Sequence, residues 1–315
     1  MSTFFTWSLR FALIFVSGVW AATYTVSDTY IGQDFLNSFT VQNIPDPTNG
    51  RVNYVDAATA KNDNLTFVSA TNFIARADFT TILDPNGPGR NSVRLLSNKQ
   101  YGLGSVLVYA CSRRAFRIDL RLSDRANLNH MPEGCGTWPA FWTVGDQGNN
   151  WPTTGEIDII EGVNNVGTNQ GTLHTSPDCS MPASRTETGT ALQSDCDTAV
   201  NGNAGCGVSF TDARSFGPTF NSNGGGWYAM ELTDDFVKIW FWARGTSVPS
   251  DVSGGSSTID TDNWNIIINL TFCGDWAGAV YSSSGCPSTC VDYVNNNPAE
   301  FENAYFDFLS LKAYT

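Results

Sequence analysis

The chain has 315 residues, a formal net charge of −13, 13% aromatic residues and eight cysteines. Such acidity repels phosphate backbones, and no Lys/Arg cluster beyond Arg113-Arg114 offsets it, so nucleic acid is not an expected partner. Only His130 and His174 supply imidazoles, and Gly-x-Ser-x-Gly, His-Glu-x-x-His and Gly-x-x-x-x-Gly-Lys are missing, which sets aside serine-hydrolase, zinc-protease and nucleotide-dependent chemistry.

In chain order, residues 1–21 carry one positive charge at Arg10, the apolar run Phe11-Ala12-Leu13-Ile14-Phe15-Val16 and a small-residue exit ending at Ala21, the pattern of a secretory signal peptide. That run is too short to span a bilayer, no other stretch approaches about 20 apolar residues, and Leu309–Thr315 lacks the hydrophobic tail that precedes a GPI anchor. The expectation is a secreted, extracellular protein, free of the membrane, with a mature part 22–315. In an oxidising compartment Cys111, Cys135, Cys179, Cys196, Cys206, Cys273, Cys286 and Cys290 read as disulfides of open pairing. With no Cys-x-x-Cys spacing, metal binding by cysteine is not expected. Asn64-Leu65-Thr66, in a polar turn, and Asn269-Leu270-Thr271, at the end of an apolar run, are N-glycosylation acceptors.

Many short strands follow, separated by turns rich in Gly, Asn, Asp, Ser and Pro. Phe116–Leu122 alternates apolar with charged residues, and Phe236–Trp242, Ile266–Leu270 and Tyr305–Leu311 are further strands. No helical period persists beyond a turn or two. The chain reads as all-β, one sandwich or barrel domain without repeats, since the Gly/Ser stretch 250–257 is too short for a linker. Trp227, Trp240 and Trp242 are assigned to packing, and His130 to a structural hydrogen bond.

The densest chemistry lies in Gly155-Glu156-Ile157-Asp158-Ile159-Ile160-Glu161-Gly162. β-branched isoleucines between glycines predict a strand, and three carboxylates on an apolar strand are costly unless they serve a site. Alternation places Glu156 and Asp158 on one face and Glu161 on the other. An extra residue within Ile159-Ile160, a β-bulge, returns Glu161 to the face of the first two. The glutamate backbones then stand roughly 13 Å apart along the strand. A curved sheet with inward-leaning side chains would bring the carboxyl groups toward the roughly 5–5.5 Å spacing of retaining glycosidases. The bland alternative, a surface strand with a solvated acidic face, is weakened by the neighbouring tryptophans Trp138, Trp142 and Trp151, which suit the flat C–H faces of sugars.

The stretch His130–Gly162, with Thr172-Leu173-His174-Thr175 and Phe272-Cys273-Gly274-Asp275-Trp276-Ala277-Gly278, resembles the endo-1,3(4)-β-glucanases (laminarinases) of glycoside hydrolase family 16, of fungal type. The resemblance covers nearly the whole mature chain. It implies a curved β-jelly-roll sandwich of the concanavalin A type with the cleft across its concave sheet. It also implies Glu156 as nucleophile, Glu161 as general acid/base and Asp158 as a helper sharing a proton with Glu156. Trp138, Trp142, Trp151, His174 and Trp276 become glucan-binding residues. Glu161 is expected to hold its proton because the nearby charge of Glu156 raises its pKa. The implied function is endo-hydrolysis of β-1,3 and mixed β-1,3/1,4 glucans by a monomer without cofactor or metal. A wall-remodelling transglycosylase would use the same glutamates, though the missing anchor and Ser-rich tail favour the hydrolase. A non-catalytic glucan-binding protein would not need all three carboxylates.

Overall fold

The computed structural model describes residues 26–101, 121–233, 236–247 and 264–314. Residues 1–21, expected to be a signal peptide, lie outside them, as do Cys111, Arg113-Arg114, the Gly/Ser stretch and most of the strand expected at Phe116–Leu122. Two antiparallel sheets stack into the curved jelly-roll sandwich that the motif implied. One sheet runs β15 (Val237–Ala243), β14 (Gly226–Thr233), β8 (Arg121–His130), β17 (Tyr305–Tyr314), β5 (Phe73–Arg76) and β4 (Thr66–Val68), with β1 (Val26–Tyr30) also paired to β17. The other, concave sheet runs β12 (Thr190–Ala191), β13 (Cys206–Ser209), β11 (Gln170–His174), β10 (Glu156–Glu161), β9 (Thr137–Gly145), β16 (Trp264–Phe272), β7 (Arg94–Ser97) and β2 (Phe39–Val41).

Period-2 alternation explains why these segments form two layers. Phe141, Ile157, Trp264, Ile266 and Ile268 of the concave sheet meet Ala126, Leu128, Tyr228, Met230, Phe306, Phe308 and Leu311 of its partner in one core. Strands expected at 236–242, 266–270 and 305–311 fall within β15, β16 and β17. Four described α-helices, α1 (Gln33–Ser38), α2 (Ala57–Asn62), α3 (Gly217–Ser222) and α4 (Cys290–Asn296), have six or seven residues each. That agrees with the lack of a sustained helical period.

Disulfides Cys135–Cys286 and Cys273–Cys290 hold α4 and the loop before it to the ends of β9 and β16, and Cys196–Cys206 closes a loop beside β11. Cys179 is disulfide-bonded as well. His130 is structural, with Nδ1 2.9 Å from the Tyr305 carbonyl and its ring stacked on Tyr305. The tryptophan buried in the core is Trp264, 1% exposed, whereas Trp240 stands 36% exposed on an edge strand. Among the described residues, no helix is long and apolar enough to cross a membrane.

Candidate active site

Strand β10 carries the bulge in the place expected. Glu156 pairs with Val144 and His174, and Asp158 with Trp142 and Thr172; the register with β9 then shifts, so that Ile160 faces Phe141 and Glu161 faces Ala140. Ile157, Ile159 and Ile160 all lie in the core at 1% exposure or less. Two consecutive isoleucines on the buried side are what one extra residue produces, and they send Glu161 back to the cleft. Gly155 enters the strand at φ +77°, a conformation favouring glycine. Gly162 leaves it so close to Phe216 that a Cβ would stand 2.6 Å from the ring.

Each glutamate accepts a tryptophan N–H. Trp151 Nε1 donates to Glu156 Oε2 at 2.7 Å, and Trp138 Nε1 donates to Glu161 Oε1 at 2.9 Å. Trp276 meets Trp138 edge-on, at 5.7 Å and 88°. It rides on the turn Gly274–Gly278, which starts beside the Cys273–Cys290 disulfide. Trp142 donates its Nε1 to Asn269 Oδ1 at 2.7 Å, and the Arg94 guanidinium lies 5.0 Å from its ring. The five proposed sugar contacts thus join the carboxylates on the cleft-facing side of the sheet or its rim loops. Trp138 and Trp151 have a role that sequence reasoning missed, as donors to the glutamates.

His174 is held from both ends. Its Nδ1 lies 3.1 Å from Asn203 Oδ1 and its Nε2 3.4 Å from Asp158 Oδ2. Two acceptors suit a doubly protonated imidazole. Burial opposes that charge, but the hydrogen bond and charge of Asp158, with those of Glu156 and Glu161, push its pKa up to about 9. Burial, then the charge of Asp158, pushes Glu156 up to about 8, against His174, the Trp151 N–H and Arg94. Glu161 is raised well above the usual carboxylate range by burial first and Asp158 second, while Glu156 is the smallest of its named influences. The proton expected on Glu161 therefore has a different origin: desolvation in the cleft rather than repulsion from Glu156.

Asn269 corrects the second glycosylation expectation. It is 7% exposed in β16, its Oδ1 accepts from Trp142, and its Nδ2, the atom that would carry a glycan, donates to Tyr54 Oη at 3.2 Å. Asn64 is exposed at φ +54°, in a turn after α2. Arg94 and Tyr54 were not singled out from sequence. A cation in the apolar run Val93–Leu96 was a signal of the same kind as the acids of β10. Glu156, Asp158 and His174 each offer one ligand atom, and these atoms lie within 4.8 Å of one another, a cluster that could hold a cation.

Paired glutamates with separate N–H donors, an Asp–His pair between them and tryptophans along the cleft define a glycoside hydrolase of the two-carboxylate type. Residues 39–266 and 261–314 match the family described as XgeA-like, catalytic GH16 domain. The chain belongs to glycoside hydrolase family 16 and carries its jelly-roll glycosidase domain. A probable endo-1,3(4)-β-glucanase of Aspergillus fumigatus is 39% identical over 93% of this chain, which spans 45% of that relative's length. Laminarinase 16A of Phanerochaete chrysosporium, solved with β-glucans in both donor and acceptor sites, is 48% identical with a TM-score of 0.84, covering 93% of this chain and 100% of its own. An elongating family 16 β-1,3-glucosyltransferase is 36% identical with a TM-score of 0.80, at the same coverage of both chains.

Proposed function

We propose that the protein is a secreted, endo-acting hydrolase that cleaves β-1,3 and mixed β-1,3/1,4 glucans with retention of configuration. The observation that carries this is the bulged strand, which brings Glu156 and Glu161 to one face with unlike partners. Arg94 favours the charge of Glu156, while Asp158 and Glu156 both favour the proton on Glu161. Glu156 attacks the anomeric carbon, forming a C–O bond as the glycosidic bond breaks, and Glu161 gives its proton to the departing sugar oxygen. Glu161 then takes a proton from water, whose oxygen displaces Glu156 and regenerates both side chains. Asp158 and protonated His174 hold the charge balance beside Glu156, and the group titrates as a unit.

Trp138, Trp142, Trp151, Trp276 and His174 form the sugar subsites, in line with the β-glucans bound to the Phanerochaete chrysosporium enzyme. Residues 1–21 act as a cleaved leader, 22–315 as one catalytic domain that works as a monomer, and Asn64 as the glycan acceptor. Transfer to a second glucan is the competing reading, favoured by the likeness to the elongating glucosyltransferase. Incubation with laminarin, mixed-linkage β-glucan and cellulose separates these outcomes. Short products, initially β-configured, from the first two and not from cellulose are expected; lengthened chains mean transfer, and unchanged polymer removes the catalytic reading.

A further inference from the structure

The geometry points to Asn169 as the positioning residue that sets Glu161 for proton transfer, an inference that rests on the function proposed above. Pairing between β10 and β11 covers Glu156, Ile157 and Asp158 and stops where the bulge begins. Past that point the Ile159 carbonyl and the Glu161 amide need other partners, because buried backbone groups left unpaired are costly. Asn169, one residue before β11, supplies both. Its Nδ2 donates to the Ile159 carbonyl at 2.8 Å, and its Oδ1 accepts from the Glu161 amide at 3.0 Å. The side-chain amide replaces one peptide unit of the missing ladder, so the bulge is pinned on both sides of Ile160.

Asn169 is itself immobilised. It is fully buried, its backbone N–H donates to Ser215 Oγ at 3.1 Å, and its carbonyl accepts from Phe210 N at 2.9 Å. Ser215 is fully buried too, and its carbonyl accepts from Tyr228 Oη. No other side chain hydrogen-bonds to the β10 backbone among the described residues. Glu156, ahead of the bulge, is set by ordinary ladder pairing with Val144 and His174. Asn169 therefore acts on the acid/base and not on the nucleophile.

That division has a kinetic signature. Laminarin has a poor leaving group that needs the Glu161 proton, whereas a dinitrophenyl β-laminaribioside releases a stable phenolate without it. In Asn169→Ala, kcat/KM on laminarin is expected to fall on the order of 100-fold, as for a catalytic group displaced by about 1 Å. On the dinitrophenyl substrate it should fall only a few-fold. Azide, which attacks the glycosyl-Glu156 intermediate without a base, should raise kcat of the variant on that substrate and not of the wild type. Asn169→Ser, which keeps one polar oxygen without adding a buried charge, serves if the alanine variant fails to fold, with the same dependence on leaving group expected at smaller size. Equal losses on both substrates, or no loss on laminarin, overturn the assignment. Wild-type protein that cleaves neither substrate overturns the reading of the site beneath it.

Discussion

Carboxylates shielded from water occur in both sheets, half-buried at Glu156 and Glu161 and buried at Asp158 and Asp124, and they differ in what surrounds them. In the concave sheet, Glu156 and Glu161 each accept a tryptophan N–H, and Asp158 faces protonatable His174. In the opposite sheet Asp124 of β8 is 1% exposed on the core-facing side, and neither of its oxygens has a hydrogen-bond partner among the described residues. Burial, with a smaller contribution from Asp28, pushes Asp124 up to about 7. Desolvation is thus the largest cause that moves this carboxylate into the neutral range. It makes a catalytic group only where donors and opposite charges also direct the proton, and the named influences on Asp124 are burial and the like charge of Asp28.

The largest test of that contrast replaces one carboxylate from each set. Glu156→Gln should reduce laminarin hydrolysis to background while the circular dichroism spectrum stays unchanged; near-normal turnover would remove Glu156 as nucleophile. Asp124→Asn should leave kcat/KM intact. Its effect is on stability, with the sign set by the raised pKa: folding favours the protonated acid, so the contribution of Asp124 is full below about 4 and lost as pH rises through about 7. The unfolding free energy of Asp124→Asn should match wild type in acid and exceed it at pH ~8 by on the order of a few kcal/mol, read from the denaturant midpoints. Equal midpoints at both pH values would mean that Asp124 finds a partner in solution.

The same sign applies to Glu156, whose contribution is lost between about 4.5 and 8, and to His174, between about 6.5 and 9. Wild-type stability should therefore decline across that range, checked by denaturant titration at several pH values. A smaller effect is expected from Trp151→Phe, which keeps the ring and removes the N–H that favours ionised Glu156. The acid limb of kcat/KM should move up by about one pH unit or less. Asn203→Ala is the mildest change. Loss of the acceptor at Nδ1 should lower the pKa of His174, moving the alkaline limb to lower pH by a fraction of a unit, and an unmoved limb would detach His174 from the titrating group.

The site was legible in sequence where burial and polarity conflict within a few residues. Glu156, Asp158 and Glu161 among isoleucines form such a conflict, and odd spacing alone demanded the bulge. Asn169, Asn203 and Tyr54 gave no comparable sign, because amides and phenols are common in turns and strand ends and acquire meaning only from what they reach. Trp138 and Trp151 stand out in the sequence as candidate sugar platforms, yet the direction of their N–H groups depends on rotamers that a linear pattern does not encode. Asn269 shows the reverse: its sequon is valid as sequence, and the fold spends the amide on Trp142 and Tyr54.

The sequence by itself determined the all-β class, the strands around Ile266–Leu270 and Tyr305–Leu311, the bulge and the three carboxylates, since alternation and the cost of buried charge act between near neighbours. Tertiary structure alone decided which groups share protons. Arg94 acts on Glu156, and Asn203 reaches His174, from strands and loops far away in the chain. Desolvation, the main cause of the raised glutamate pKa values, exists only once the folded sheet and its rim loops have closed a cleft around them.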